Sequence, residues 1–105
     1  MKNMGERVII KTEEDKEYTI LSFTLSENIE PSVLREITPP KINSRKGLII
    51  SGRGPIWLYG FLIHYYHSTP FIAVYDPRLG AVVIETHVPS IKVGDVLDIY
   101  IDGEG

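Results

Sequence analysis

The chain has 105 residues, 43% of them hydrophobic, which suffices for one compact domain with a modest core and leaves no room for a separate catalytic domain. It contains no cysteine, which excludes a disulfide scaffold and thiolate metal sites, and its net charge of −3 argues against duplex DNA, whose binding draws on many cation–phosphate contacts. No run approaches the roughly 18 apolar residues of a membrane span and the first residues carry no long apolar signal core, so a soluble, cytoplasmic protein with no membrane partner is expected.

In chain order, a short strand is expected near Arg7 to Lys11, then a polar turn at Glu13-Glu14-Asp15-Lys16. A second strand runs from Tyr18 to Leu25, and its imperfect alternation predicts one buried face and one partly covered. Pro31 followed by Ser32-Val33-Leu34-Arg35-Glu36-Ile37 predicts a short helix with proline in its first turn, stopped by Pro39-Pro40. Gly47-Leu48-Ile49-Ile50 is a continuous apolar run of strand length. The glycine loop Ser51-Gly52-Arg53-Gly54-Pro55 follows, then a helix from Ile56 to about His67, a second apolar run Phe71-Ile72-Ala73-Val74-Tyr75, and a turn from Asp76 to Gly80. Strand, helix, strand with near-continuous apolar strands predicts a βαβ unit in a covered parallel sheet. Ala81 to Glu85 should return antiparallel across a hairpin, and Val96 to Ile101 supplies a last alternating strand.

In a βαβ unit both strands end at the same carboxyl edge, so Gly52-Arg53-Gly54 and Asp76-Pro77-Arg78 should be neighbours. The glycines allow close backbone approach, the helix start presents free N–H groups, and the arginines can fork onto phosphate oxygens. A tight turn whose glycines serve backbone geometry alone is the equal alternative. Between Glu36 and Asp76 there is no carboxylate, while Lys41, Arg45, Lys46 and Arg53 fall there; the choice is between a cationic region suited to a small anion and bases scattered over solvent.

The helix carries His64 and His67 away from that loop, and His87 closes the strand returning from the Asp76 turn, so the three histidines should gather at the opposite edge. Spacing alone favours surface histidines at a helix end, with a metal site or a general acid–base role as the alternative. Trp57, Phe61 and Tyr65 share a stripe that reads as core against the sheet rather than a base-stacking platform. Gly60, among them, suggests close approach by a strand or a second subunit.

The run Arg45-Lys46-Gly47-Leu48-Ile49-Ile50-Ser51-Gly52-Arg53-Gly54-Pro55-Ile56-Trp57-Leu58, continued by His64-Tyr65-Tyr66-His67-Ser68-Thr69-Pro70-Phe71-Ile72-Ala73-Val74-Tyr75-Asp76-Pro77-Arg78, resembles the small CRISPR-associated ring nuclease of type III systems, a family first described as a manganese-dependent RNA deadenylase. The close match covers roughly residues 45 to 87. The elements read above make an α/β fold, a compact single domain over residues 1–105 with a mixed sheet, two helices and a glycine- and acid-rich tail at 102–105 expected to fray, and the resemblance implies that the sheet is Rossmann-like. It implies an enzyme that binds and linearises cyclic tetra-adenylate, or acts on short oligoadenylate RNA, ending an antiviral second-messenger signal. Carried over by position, it assigns catalysis to His67, Asp76 and Arg78 and ligand contact to Ser51, Gly52, Arg53, Gly54 and Pro55. His64 and His87 match histidines that could hold manganese, although three imidazoles suit zinc or nickel better.

With His67 at one pole and Asp76 and Arg78 at the other, one phosphodiester can meet all three only if dimers stack head to tail into tetramers or filaments. The rival expectation is a binding module that sequesters an adenylate or an RNA end without cutting it.

Overall fold

The structure is a computed structural model and describes residues 7–101; the expected fraying at 102–105 lies outside them. Six strands form one mixed sheet in the order β1-β2-β3-β4-β5-β6: β1 (Val8–Glu14), β2 (Tyr18–Leu25), β3 (Gly47–Gly52), β4 (Phe71–Asp76), β5 (Gly80–Thr86) and β6 (Val96–Leu97). The central strands β2, β3 and β4 run parallel, while β1, β5 and β6 join antiparallel. The β3–α1–β4 unit is present as expected, with α1 at Ile56–Tyr65. Because strand order follows chain order without reversal, the described sheet has no topological switch point, and its likeness to a Rossmann sheet is confined to that one βαβ unit.

The structure corrects the expectation of two helices. The short helix expected after Pro31 is a 3-10 helix, Pro31–Arg35, and α1 is the one α-helix among the described residues. A segment confined between Pro31 and Pro39 is too short to repay helix nucleation, and no side chain caps its start. It still plugs the core, with Val33 and Ile37 buried. β1 extends further than expected, pairing with β2 as far as Glu14↔Thr19, so the turn is confined to Asp15–Glu17. The last strand is shorter than expected: only Val96 and Leu97 pair with β5. The Ile99 N–H donates to Leu97 O at 2.8 Å, a three-residue turn that takes the backbone out of the ladder. The alternation survives as packing, with Leu97, Ile99 and Ile101 all against the second core layer.

Each sheet face has its own core. On the first, Leu21, Phe23, Leu48, Ile50 and Ile72 pack against Leu58, Leu62 and Tyr66. On the second, Ile49, Phe71, Ala73, Tyr75, Ala81 and Val83 lie under the chain from Val88 to Ile101. The residues that meet the sheet are thus Leu58 and Leu62 of α1 and Tyr66 just after it, one position round from the expected stripe. Trp57 and Phe61 only flank this core, and Tyr65 is 50% exposed. Apolar residues lie on every side of α1, so periodicity could not choose its buried face. A Cβ at Gly60 would meet nothing within 4 Å, so among the described residues no strand approaches there.

Candidate functional site at two edges of the sheet

β3 and β4 deliver the glycine loop and the Asp76 turn to one edge. Their pairing ends at Ile50↔Val74, and two residues further on Gly52 and Asp76 leave the same edge of the sheet. The loop backbone is fixed from two sides. Tyr59, one turn into α1, donates its hydroxyl to Gly52 O, and its ring meets Phe23 edge to face at 5.2 Å. Gly52 pairs with Phe23 across β2, at φ +152, and a Cβ on it would stand 2.6 Å from Phe23 O. Gly54 also lies against the Phe23 ring. Glycine here therefore answers to close approach by β2. Arg53 and Gly54 are exposed, whereas Ser51 is buried within the sheet.

Asp76 organises the adjoining turn. Its Oδ1 accepts the Arg78 backbone N–H at 2.8 Å and lies 3.6 Å from Arg78 Nε, while Leu79 N–H donates to Asp76 O at 3.0 Å. The Arg78 backbone N–H holds the Asp76 carboxyl below the usual carboxylate range, outweighing the opposing effect of burial, and the guanidinium charge adds a smaller lowering. Asp76 is therefore an anion at neutral pH. Arg78 is 89% exposed and free to reach a ligand beyond the turn.

The histidines lie at the other edge. His64 is in the last turn of α1, and its ring stacks with that of His67 at a centroid distance of 5.9 Å and 25° between planes. His87 N–H donates to Pro70 O at 2.8 Å, and its Nε2 lies 3.1 Å from His67 O and 3.6 Å from Glu85 Oε2. All three gather as expected. Among the described residues no group of three or more histidines and carboxylates converges to hold a metal ion.

Neither edge contains the whole of the expected catalytic group. His67 precedes β4 and Asp76 ends it, and six residues of strand at roughly 3.3 Å each span about 17–20 Å. The basic stretch is divided as well. Lys46 Nζ pairs with Glu14 at 2.7 Å and donates to Asp15 O, Arg53 is at the glycine loop, and Lys41 is on the histidine side. Arg45 and Lys46 immediately precede β3, so they fall on the histidine edge with Lys41, and of the four bases Arg53 alone is at the glycine loop. Sequence reasoning missed Phe23 and Tyr59 as loop supports; Tyr59 lies seven residues beyond Gly52, but no local pattern ties Phe23 to it. No helix among the described residues is long and apolar enough to cross a membrane.

A family profile described as CRISPR-associated protein (Cas_csx3) matches residues 22–98, a stretch from within β2 to just past β6. A protein of Aquifex aeolicus (strain VF5), described as uncharacterized, is 51% identical over 84 residues, covering 75% of this chain and 76% of its own. The glycine loop, the Asp76 turn and all three histidines fall inside the matched stretch, and the chain belongs to the CRISPR-associated Cas_csx3 family.

Proposed function

We propose that the protein is a ring nuclease that binds and linearises cyclic tetra-adenylate, switching off type III CRISPR signalling, with an active site completed between stacked dimers. Family membership supports the CRISPR-associated role. The observation that carries the mechanism is the division of the polar groups between the two ends of β4, which leaves each pole of a monomer with half of a phosphodiesterase.

In this reading the Gly52–Pro55 backbone and Arg53 receive ring phosphates, and a two-fold dimer suits the pseudo-two-fold symmetry of four identical nucleotides. His67 of the next dimer accepts the proton of a ribose 2′-hydroxyl as that oxygen attacks its adjacent phosphate. The P–O5′ bond breaks, the 5′-oxygen leaves with a proton, and the product is a linear tetra-adenylate with a 2′,3′-cyclic phosphate; no water is consumed. Arg78 stabilises the charge gathering on the phosphate oxygens. Asp76, ionised and hydrogen-bonded to the Arg78 backbone, orients the turn and donates no proton. Manganese is proposed as a stimulating ion, but no step is assigned to it because three converging ligands are not present among the described residues.

Incubation of the protein with cyclic tetra-adenylate, with and without manganese, tests the proposal. Conversion to the linear cyclic-phosphate product is expected. Ligand that stays bound and intact under both conditions would instead favour a sequestering module.

A further inference from the structure

At the histidine edge a cavity of about 220 Å³ opens between the segment Pro40–Ser44 and the end of α1. Its floor is polar but already satisfied: Tyr66 donates its hydroxyl to Pro40 O, and the Thr69 hydroxyl donates to Tyr66 O at 2.9 Å. Lys41, Ser44 and Ser68 also line it, and among the described residues no hydrogen bond or ion pair engages their side chains. The wall is Tyr65, whose ring is held edge to face by Tyr66 at 4.9 Å and tilted against Phe61 at 6.1 Å while half its surface stays open. A rigid, half-exposed aromatic ring above neutral hydroxyls is the chemistry of nucleobase recognition: the ring stacks on the base, and hydroxyls can both donate to and accept from its edge. The volume falls below the roughly 300–1,000 Å³ of sites that engulf a drug-sized ligand, so it fits a part of a nucleotide. Lys41 places one cation beside that part, suited to the phosphate that joins it.

We propose that this cavity is an adenine subsite, in which Tyr65 stacks on the base, Ser44 and Ser68 read its edge and Lys41 pairs with the adjoining phosphate. The inference rests on an adenylate ligand, as proposed above, and deepens that reading. Ser68 follows His67 directly, so a base seated here brings its own nucleotide to the histidine. It thereby gives the histidine pole a grip on the ring that the opposite pole holds by its phosphates.

Titration with adenosine 5′-monophosphate, followed by backbone amide NMR, tests the subsite independently of cleavage. Shifts are expected at Lys41, Ser44, Tyr65 and Ser68 in addition to any at the glycine loop. Tyr65→Ala should weaken this binding about tenfold or more, whereas Tyr65→Phe, which keeps the stacking ring, should stay within about threefold. Thermal melting of both variants confirms that they fold. Shifts confined to Gly52–Gly54 and Arg78, or an equal response to ribose 5-phosphate, would overturn the assignment, because the base would then not be read. A Tyr65→Ala protein that folds and binds adenosine 5′-monophosphate as tightly as wild type would do the same. The outcomes separate the two proposals: cleavage of cyclic tetra-adenylate without these shifts leaves the nuclease and removes the subsite, and the shifts without cleavage leave the subsite and remove the nuclease.

Discussion

Asp76 combines two duties that the sequence presents as one. Its carboxylate accepts the Arg78 N–H and so shapes the turn, and the same bond keeps it ionised beside the guanidinium proposed to stabilise the reaction. The folded-state pKa is lowered, so the contribution to stability is present above the unfolded value of about 4 and is lost as pH falls through the folded value. The melting temperature of wild type should therefore exceed that of Asp76→Asn near neutral pH, and the gap should close as the solution is acidified below about pH 4; a gap constant down to about pH 2 would refute the linkage. At Gly52 the constraint is steric. A methyl group would press on Phe23 O, so Gly52→Ala should cost about 1–3 kcal/mol in chemical denaturation and weaken ligand binding at the loop. The cost should be much smaller at Gly60, where a Cβ meets nothing.

At the scale of elements, α1 joins the two poles and is held mainly by Leu58 and Leu62, both fully buried on the β2–β3–β4 face. Leu62→Ala should destabilise the domain by about 2–5 kcal/mol, whereas Tyr65→Phe on the open side of the same helix should change stability little. Equilibrium urea unfolding of the two variants checks the contrast, and equal losses would mean that the helix is seated differently. The edge strand β1 stabilises by other means. Its exposed Lys11, Thr12, Glu13 and Glu14 discourage pairing with a further chain, and Glu14 anchors the 43–46 segment through Asn43 and Lys46. Lys46 is thereby tied to a carboxylate.

For the whole molecule, the separation of His67 from Arg78 across the length of β4 means that the proposed reaction would require assembly. Mixing His67→Ala with Arg78→Ala should restore part of the cleavage that each lacks alone, because a stacked pair can contain one intact junction. Arg78 is a cleaner choice than Asp76, whose side chain also builds the turn. Failure of complementation, with both proteins folded, would place the reaction within a single pole.

Much of this organisation was legible in the chain. Two apolar runs flanking a helix of suitable length specify the βαβ unit, and that unit alone sends the glycine loop and Asp76 to one edge and the histidines to the other, since β4 connects them and has a fixed rise per residue. The short-range signals were misleading where tertiary context outweighed them. Pro31 and the residues after it have a helix start but not the length to propagate one, and Val96 to Ile101 alternates as a strand although a turn at Asp98 releases it from the ladder. Which face of α1 is buried, which bases remain unpaired, and that Phe23 and Tyr59 clamp the Gly52 backbone were decided only by tertiary structure. These depend on contacts between residues far apart in the chain, and a helix apolar on every side gives no local rule for choosing among them.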